Sequence, residues 1–303
     1  MEGSRSVGGV LSLRGKHEEA AEAYARALQV FEANFGPEHP AVASYHDSLG
    51  AELLGMGRFD EAREHHRRAL ELLEKAHGDA HPEVAWAWGN LGLAAYRMRE
   101  YDAALRCFDR MLAIAEPLLG EQHPAIELTH VNKALARLSA GQLDEAEAAL
   151  DTASRVVSAG PDSAELRGLT RFARGRLAMA RADHARARAQ LGEAVETFEA
   201  ANGEDHPDLV EFLVPLAEAA LADGDLDAAA ATSTRALKIL EANTLGPSLH
   251  GQAEFVAAKT HAAAGDAKRA RALAEAAHQH FVEAGARFTP EREAAERWLA
   301  ERR

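Results

Sequence analysis

The feature that most limits what this chain can become is a repeat. Three stretches align without gaps: GKHEEAAEAYARALQVFEANFGPEHPAVA from Gly15, GRFDEAREHHRRALELLEKAHGDAHPEVA from Gly57 and REYDAALRCFDRMLAIAEPLLGEQHPAIE from Arg99. Ala20, Ala62, Ala104, Ala146, Ala187, Ala229 and Ala270 then fall at spacings of 42, 42, 42, 41, 42 and 41 residues, which marks seven units. Four residues after these alanines come Tyr24, His66, Phe108, Leu150, Leu191, Ser233 and Ala274, and three further on Ala27, Ala69, Met111, Ala153, Ala194, Ala236 and Ala277. Positions i, i+4 and i+7 share one helix face. A face of small residues alternating with bulkier ones lets two helices approach closely, and a unit of this size buries that face only by stacking on its neighbours.

Each unit carries its own punctuation. GPEHP from Gly36, GDAHP from Gly78, GEQHP from Gly120 and GEDHP from Gly203 put a glycine where one helix ends and a proline where the next begins. Glycine accepts the left-handed backbone at a helix end, and proline loses nothing at the first helical position. The turn inside each pair is marked by Gly15, Gly57, Gly141, Gly224 and Gly265. Every unit therefore reads as two helices. The fifth departs, with SAGPDSAEL at 158–166 in place of GxxHP, and local irregularity is expected there.

The spacing of small residues resembles the tetratricopeptide repeat, and the unit length with its GxxHP turn resembles the kinesin light chain variety. That resemblance covers nearly the whole chain. It implies an all-α, tetratricopeptide-like α-solenoid: a right-handed superhelix of about seven helix pairs, whose first helices line a concave groove that holds a peptide or a partner's helix. The expected division is 1–288 for seven tandem pairs, the first partly degenerate, and 289–303 for a C-terminal capping helix. Bacterial chains of this kind often carry such repeats after a serine/threonine kinase or nucleotide-binding domain, so the abrupt start inside a repeat suggests an upstream region in the parent protein.

The ends differ from the interior. The first helix must be built from GSRSVGGVLSLR, whose Gly8 and Gly9 each cost about 1 kcal/mol against alanine, so fraying is expected. At the other end, TPEREAAERWLAERR supplies Thr289 as a cap, Pro290 at the first helical position, and Trp298 with Leu299 to cover the last repeat.

Composition narrows function. A net charge of -14 repels phosphate backbones and anionic lipids, which argues against nucleic-acid and membrane partners. Charged residues interrupt every apolar run, and the N-terminus lacks a signal peptide's apolar stretch. The single cysteine, Cys107, excludes an intrachain disulfide and suits a reducing, cytoplasmic location. No cofactor is implied. Gly9–His17 lacks the spacing of a phosphate-binding loop, and no GxSxG or HExxH string occurs, so an enzyme is not expected. Of fifteen histidines, His39, His81, His123 and His206 lie a full repeat apart, while His65 with His66 and His278 with His280 lack ligand spacing on a helix; no metal site follows from them.

Two features point to a protein or peptide partner. Asn90 and Asn132 stand 42 residues apart on the first helices of the third and fourth pairs. In relatives an asparagine at this place faces the groove, and an amide offers both donor and acceptor to a peptide backbone. Trp86, Leu93, Arg97, Leu135 and Leu138 are its expected neighbours. Ser48, Ala173, Pro215 and Val256 occupy the equivalent places elsewhere, so the amide ladder is short. The other feature is a run of arginines: Leu166–Gln190 has a local charge of +6. Arg167, Arg171, Arg174 and Arg176 in it form a candidate patch for an acidic partner, with pairing to acidic neighbouring repeats as the plainer alternative. The expected function is a non-catalytic scaffold binding a protein segment in its groove. The alternative is a ligand-sensing repeat region that controls an attached or partner kinase or nucleotide-binding domain.

Overall fold

A computed structural model describes residues 2–155 and 163–302. The described residues are helical throughout, with short connecting turns and no strand. The chain divides into two compact units, 1–173 and 174–303. The first contains α1 (Glu2–Ser12), α2 (His17–Phe35), α3 (Ala43–Gly55), α4 (Phe59–His77), α5 (Pro82–Arg97), α6 (Tyr101–Leu119), α7 (Pro124–Ser139) and α8 (Leu143–Arg155). Helix α9 (Ser163–Ala180) carries the division. The second unit continues with α10 (His184–Asn202), α11 (Val210–Ala222), α12 (Leu226–Glu241), α13 (Pro247–Ala263), α14 (Ala267–Glu283) and α15 (Thr289–Ala300). The irregular stretch expected around SAGPDSAEL lies largely outside the described residues.

Within each unit the pattern of small residues becomes a seam. All seven marker alanines, and the residues four and seven places after them, are buried. Sixteen residues before the bulky seam position stands a small residue of the pair's first helix, and it forms a notch. A Cβ built on Gly50, Gly92 or Gly175 would lie 2.7, 2.6 and 2.6 Å from His66, Phe108 and Leu191. Only glycine lets the facing side chain seat against bare backbone. Phe108, 1% exposed, packs with Ala95, Ala104 and Ala136, so one ring joins α5, α6 and α7.

The seam gives Gly8 a packing role that its helix propensity does not reveal. Helix α1 runs from Glu2 to Ser12 and packs on α2. Gly8 is one more notch: its Cβ would meet the Tyr24 ring at 2.8 Å. The residue counted as a helix breaker is the one the seam requires, because propensity yields to close packing.

The turns follow a single plan. At the turn inside each pair, Gly15, Gly57, Gly141, Gly224 and Gly265 have positive φ, and the same place in the third and fifth units holds Arg99 (φ 63) and Ala182 (φ 59). The conformation belongs to the repeat rather than to glycine. In the GxxHP turns the histidine caps the following helix. Nδ1 of His39, His81, His123 and His206 accepts the backbone N–H of Ala41, Glu83, Ala125 and Asp208 at 3.2–3.3 Å. An arginine of the next second helix reaches back to three of these turns: Arg68 to the Pro37 carbonyl and Glu38, Arg110 to Asp79 at 3.9 Å, and Arg235 to the Glu204 carbonyl and Glu199. With Arg68 and Lys75 beside it, the Glu38 carboxyl titrates at about 2.

The C-terminal cap differs from expectation in one detail. Thr289 is the first residue of α15, and its hydroxyl donates to the Ala286 carbonyl at 2.8 Å instead of accepting from the helix. A short 3-10 turn at Ala286–Phe288 places Thr289 already inside the helical backbone. Trp298 and Leu299 pack on Ala257, Ala258, Leu273 and Ala274.

Candidate peptide-binding face

The third and fourth pairs lie wholly in the first unit, and their first helices, α5 and α7, touch. Each begins with proline behind a histidine cap. Gly89 and Gly92 turn α5 toward α6, where their Cβ atoms would meet Met111 and Phe108. At about 100° per residue, Trp86, Asn90, Leu93 and Arg97 fall within about 60° of one another, centred about 130° from Gly92. They share one side of α5, whose centre lies about 70° from Gly89, beside the face that meets α6. All four are partly exposed.

Helix α7 repeats this layout one unit on. Asn132 stands where Asn90 does, half-buried, and Leu135 stands where Leu93 does, at 9% exposure. Leu138 lies apart from them, rotated toward the seam by about 60° from Leu135, at the place equivalent to Tyr96. The reading from sequence omitted Leu128, which occupies the Trp86 position on α7 and is 36% exposed. A count of 42 residues from Trp86 would have found it.

Several polar neighbours of the amides are engaged. Thr129 donates to the Ala125 carbonyl at 2.6 Å, and Lys133 meets Asp109 at 2.6 Å. His130 lies 3.8 Å from Glu116, and burial, then the Lys133 charge, keeps its imidazole below the ordinary range. Neither Asn90 nor Asn132 has a side-chain hydrogen bond among the described residues. The ladder ends at α3, because Ser48, at the Asn90 position, donates to its own helix at Ser44. Of the later equivalents, Ala173 is 1% exposed and Val256 fully buried, while Pro215 is partly exposed and has no amide to offer. Cys107 is buried with its thiol pushed up by burial, which suits packing rather than nucleophilic chemistry.

The four arginines of α9 do not form one patch. Arg167, Arg171 and Arg174 share a face at i, i+4 and i+7, whereas Arg176 points about 180° from Arg167. Arg176 instead takes the place equivalent to Leu135. All four already engage in polar, charge or ring interactions. Sequence proximity had grouped side chains that the helix separates.

The expectation of no metal set rested on distances between turns. Within one turn, however, His77, His81 and Glu83 each bring a ligand atom to within 4.8 Å of the others.

Stacked helix pairs with a small-residue seam define a helical-repeat protein. Family profiles described as tetratricopeptide repeat match residues 4–75, 53–116 and 83–159, with a further match at 173–208. The chain belongs to the tetratricopeptide repeat family, whose members are generally non-catalytic protein-interaction modules.

Solved structures show the same fold. A Rap protein complexed with competence and sporulation factor shares 16% identity at a TM-score of 0.64, over 92% of this chain and 81% of that one. BtubC (BKLC) from P. vanneervenii shares 17% at 0.52, over 76% and 91%. A kinesin light chain-like protein of Podospora anserina, with nearly identical repeats, shares 18% at 0.51, over 66% and 95%. No curated protein matches the sequence. None of the helices described is long and apolar enough to cross a membrane.

Proposed function

We propose that this chain is a non-catalytic cytoplasmic adaptor that holds an extended segment of a partner protein across α5 and α7. The observation carrying this reading is the pair of equivalent amides, Asn90 and Asn132, half-exposed and without a side-chain hydrogen bond among the described residues. A docking peptide's backbone groups lose water, and each left unpaired costs about 1–3 kcal/mol. Packed helices lie about 8–10 Å apart, and an extended chain advances about 3.3 Å per residue. The two amides would then address backbone groups roughly three residues apart, a spacing that suits an extended strand. Trp86 and Leu128 supply apolar ground at equivalent places beside them, and Leu93, Leu135, Leu138 and Arg97 complete the lining.

The test is a peptide selection. Panning a random-peptide display library on the full chain should enrich extended sequences. Asn90→Ala with Asn132→Ala should weaken the selected peptides at least about tenfold with an unchanged melting temperature. Undiminished binding by the double variant would remove this face from consideration. A second reading, a regulator whose repeats respond to a captured ligand, draws on the likeness to the Rap protein solved with competence and sporulation factor. It uses the same face of α5 and α7; Arg167, Arg171 and Arg174, on one side of α9, are a separate candidate contact for an acidic partner.

A further inference from the structure

The turn between α4 and α5 is the second of the four GxxHP turns, and it carries two side chains its counterparts lack. The residue before the glycine is Phe35, Leu119 or Asn202 in the other three and His77 here. Two residues after the histidine stand Ala41, Ala125 or Asp208, and Glu83 here. Since the turn folds with those other side chains, its geometry demands neither His77 nor Glu83. The backbone is fixed by Gly78 at φ 76 and by the His81 cap, so the helix end and helix start that carry the three residues are held together.

We propose that His77, His81 and Glu83 form a binding site for a divalent transition-metal ion of the zinc type. His77 Nε2 lies 3.3 Å from Glu83 Oε2, and one ligand atom from each of the three falls within 4.8 Å of the others. Two imidazoles and one carboxylate are a recognised donor set for zinc, and their position on an exposed turn leaves a coordination place open to water or to a partner's side chain. The reading is independent of the peptide face.

The three side chains must rearrange to take an ion, and that rearrangement provides a signature. The two rings stack at 4.3 Å with 18° between their planes, so no ion lies in both planes as they stand. His77, exposed at the helix end, must turn. His81 Nδ1 accepts the Glu83 N–H at 3.2 Å, which places the proton of the neutral ring on Nε2. An ion at Nδ1 displaces that N–H, and an ion at Nε2 moves the ring proton to Nδ1, where it opposes the same N–H. Binding at either nitrogen therefore releases the Glu83 amide from its cap.

The experiment is titration of the chelator-treated full chain with zinc chloride, read by calorimetry and by amide NMR. His77→Phe and Glu83→Ala install residues that other turns of this chain carry, so both variants should keep the fold, checked by melting. Other histidines also take up zinc weakly, and the double variant sets that background. The expected result is one zinc site above background, weakened at least ~10-fold in either single variant, with the Glu83 amide shifting on binding. Zinc uptake equal in the parent and the double variant, or tight uptake that leaves the Glu83 amide unmoved, would overturn the assignment.

Discussion

The side of α5 that meets α6 carries Gly89, Gly92 and Ala95, while a neighbouring side carries Trp86, Asn90, Leu93 and Arg97. Both belong to one helix and are built under one repeat. On the seam, Gly92 and Phe108 are chosen by contact distance: the ring occupies the space a Cβ would need. On the face, side chains change from unit to unit, with Ser48, Asn90, Asn132 and Ala173 at one position. The seam thus specifies the fold, and under the proposed function the face specifies the partner, so substitutions should separate the two cleanly.

The largest expected effect is at the seam. Phe108→Ala removes the ring shared by three helices and should cost about 3–5 kcal/mol in chemical denaturation. A loss no larger than that of an exposed site would mean that the seam is not the fold's foundation.

Acid acts on the same seam one pair earlier. His46 Nδ1 lies 2.8 Å from His65 Nδ1, so the pair cannot carry two protons on these atoms. Burial, then the His65 and Arg68 charges, lowers His46 from 6.5 to about 4. The unfolded chain takes up this proton first, so stability is full above pH 6.5 and falls as the pH drops toward 4. The loss should reach on the order of 2–3 kcal/mol. Melting across this range should show it, and His46→Gln should flatten the profile relative to the parent.

Smaller effects follow from the notch and the turn. Gly92→Val forces Phe108 off its seat and should cost about 1–3 kcal/mol, with the helix count by circular dichroism retained. His81→Ala should cost about 1 kcal/mol, and His81→Asn should recover most of it by restoring a capping acceptor. Equal losses in both would show that the imidazole does more than cap.

The smallest effect belongs to the face. Leu128→Ser should change stability by less than about 0.5 kcal/mol and yet weaken a selected peptide. If it destabilises the chain as a seam substitution does, the contrast between the two sides of the first helices fails on α7.

Much of this contrast was legible in advance. The marker alanines, the GxxHP strings and the 42-residue offsets announced helix pairs, turns and the equivalence of Asn90 with Asn132. Three features were not. Gly8 read as a defect, because propensity treats each residue alone, whereas its value lies in the Tyr24 ring that covers it. The histidines of GxxHP read as motif residues, because a cap depends on where an imidazole nitrogen points, and one-dimensional spacing carries no such direction. The arginines of α9 read as one patch, because nearness in sequence hides the helical rotation that sets Arg176 opposite Arg167.

The sequence by itself determined the repeat, its helix pairs and the places where each helix starts and stops, since these follow from local backbone preferences and from periodicity along the chain. The tertiary structure alone decided that Asn90 and Asn132 stay partly exposed while the equivalent Ala173 and Val256 are closed, that Arg99 and Ala182 adopt the left-handed turn used elsewhere by glycine, and that His77 meets His81 across Gly78. These outcomes depend on packing between helices. A seam that must close at van der Waals contact fixes the rotation of every helix in its pair, and that rotation, which no local preference encodes, assigns the remaining side chains to the interior, the turn or the open face.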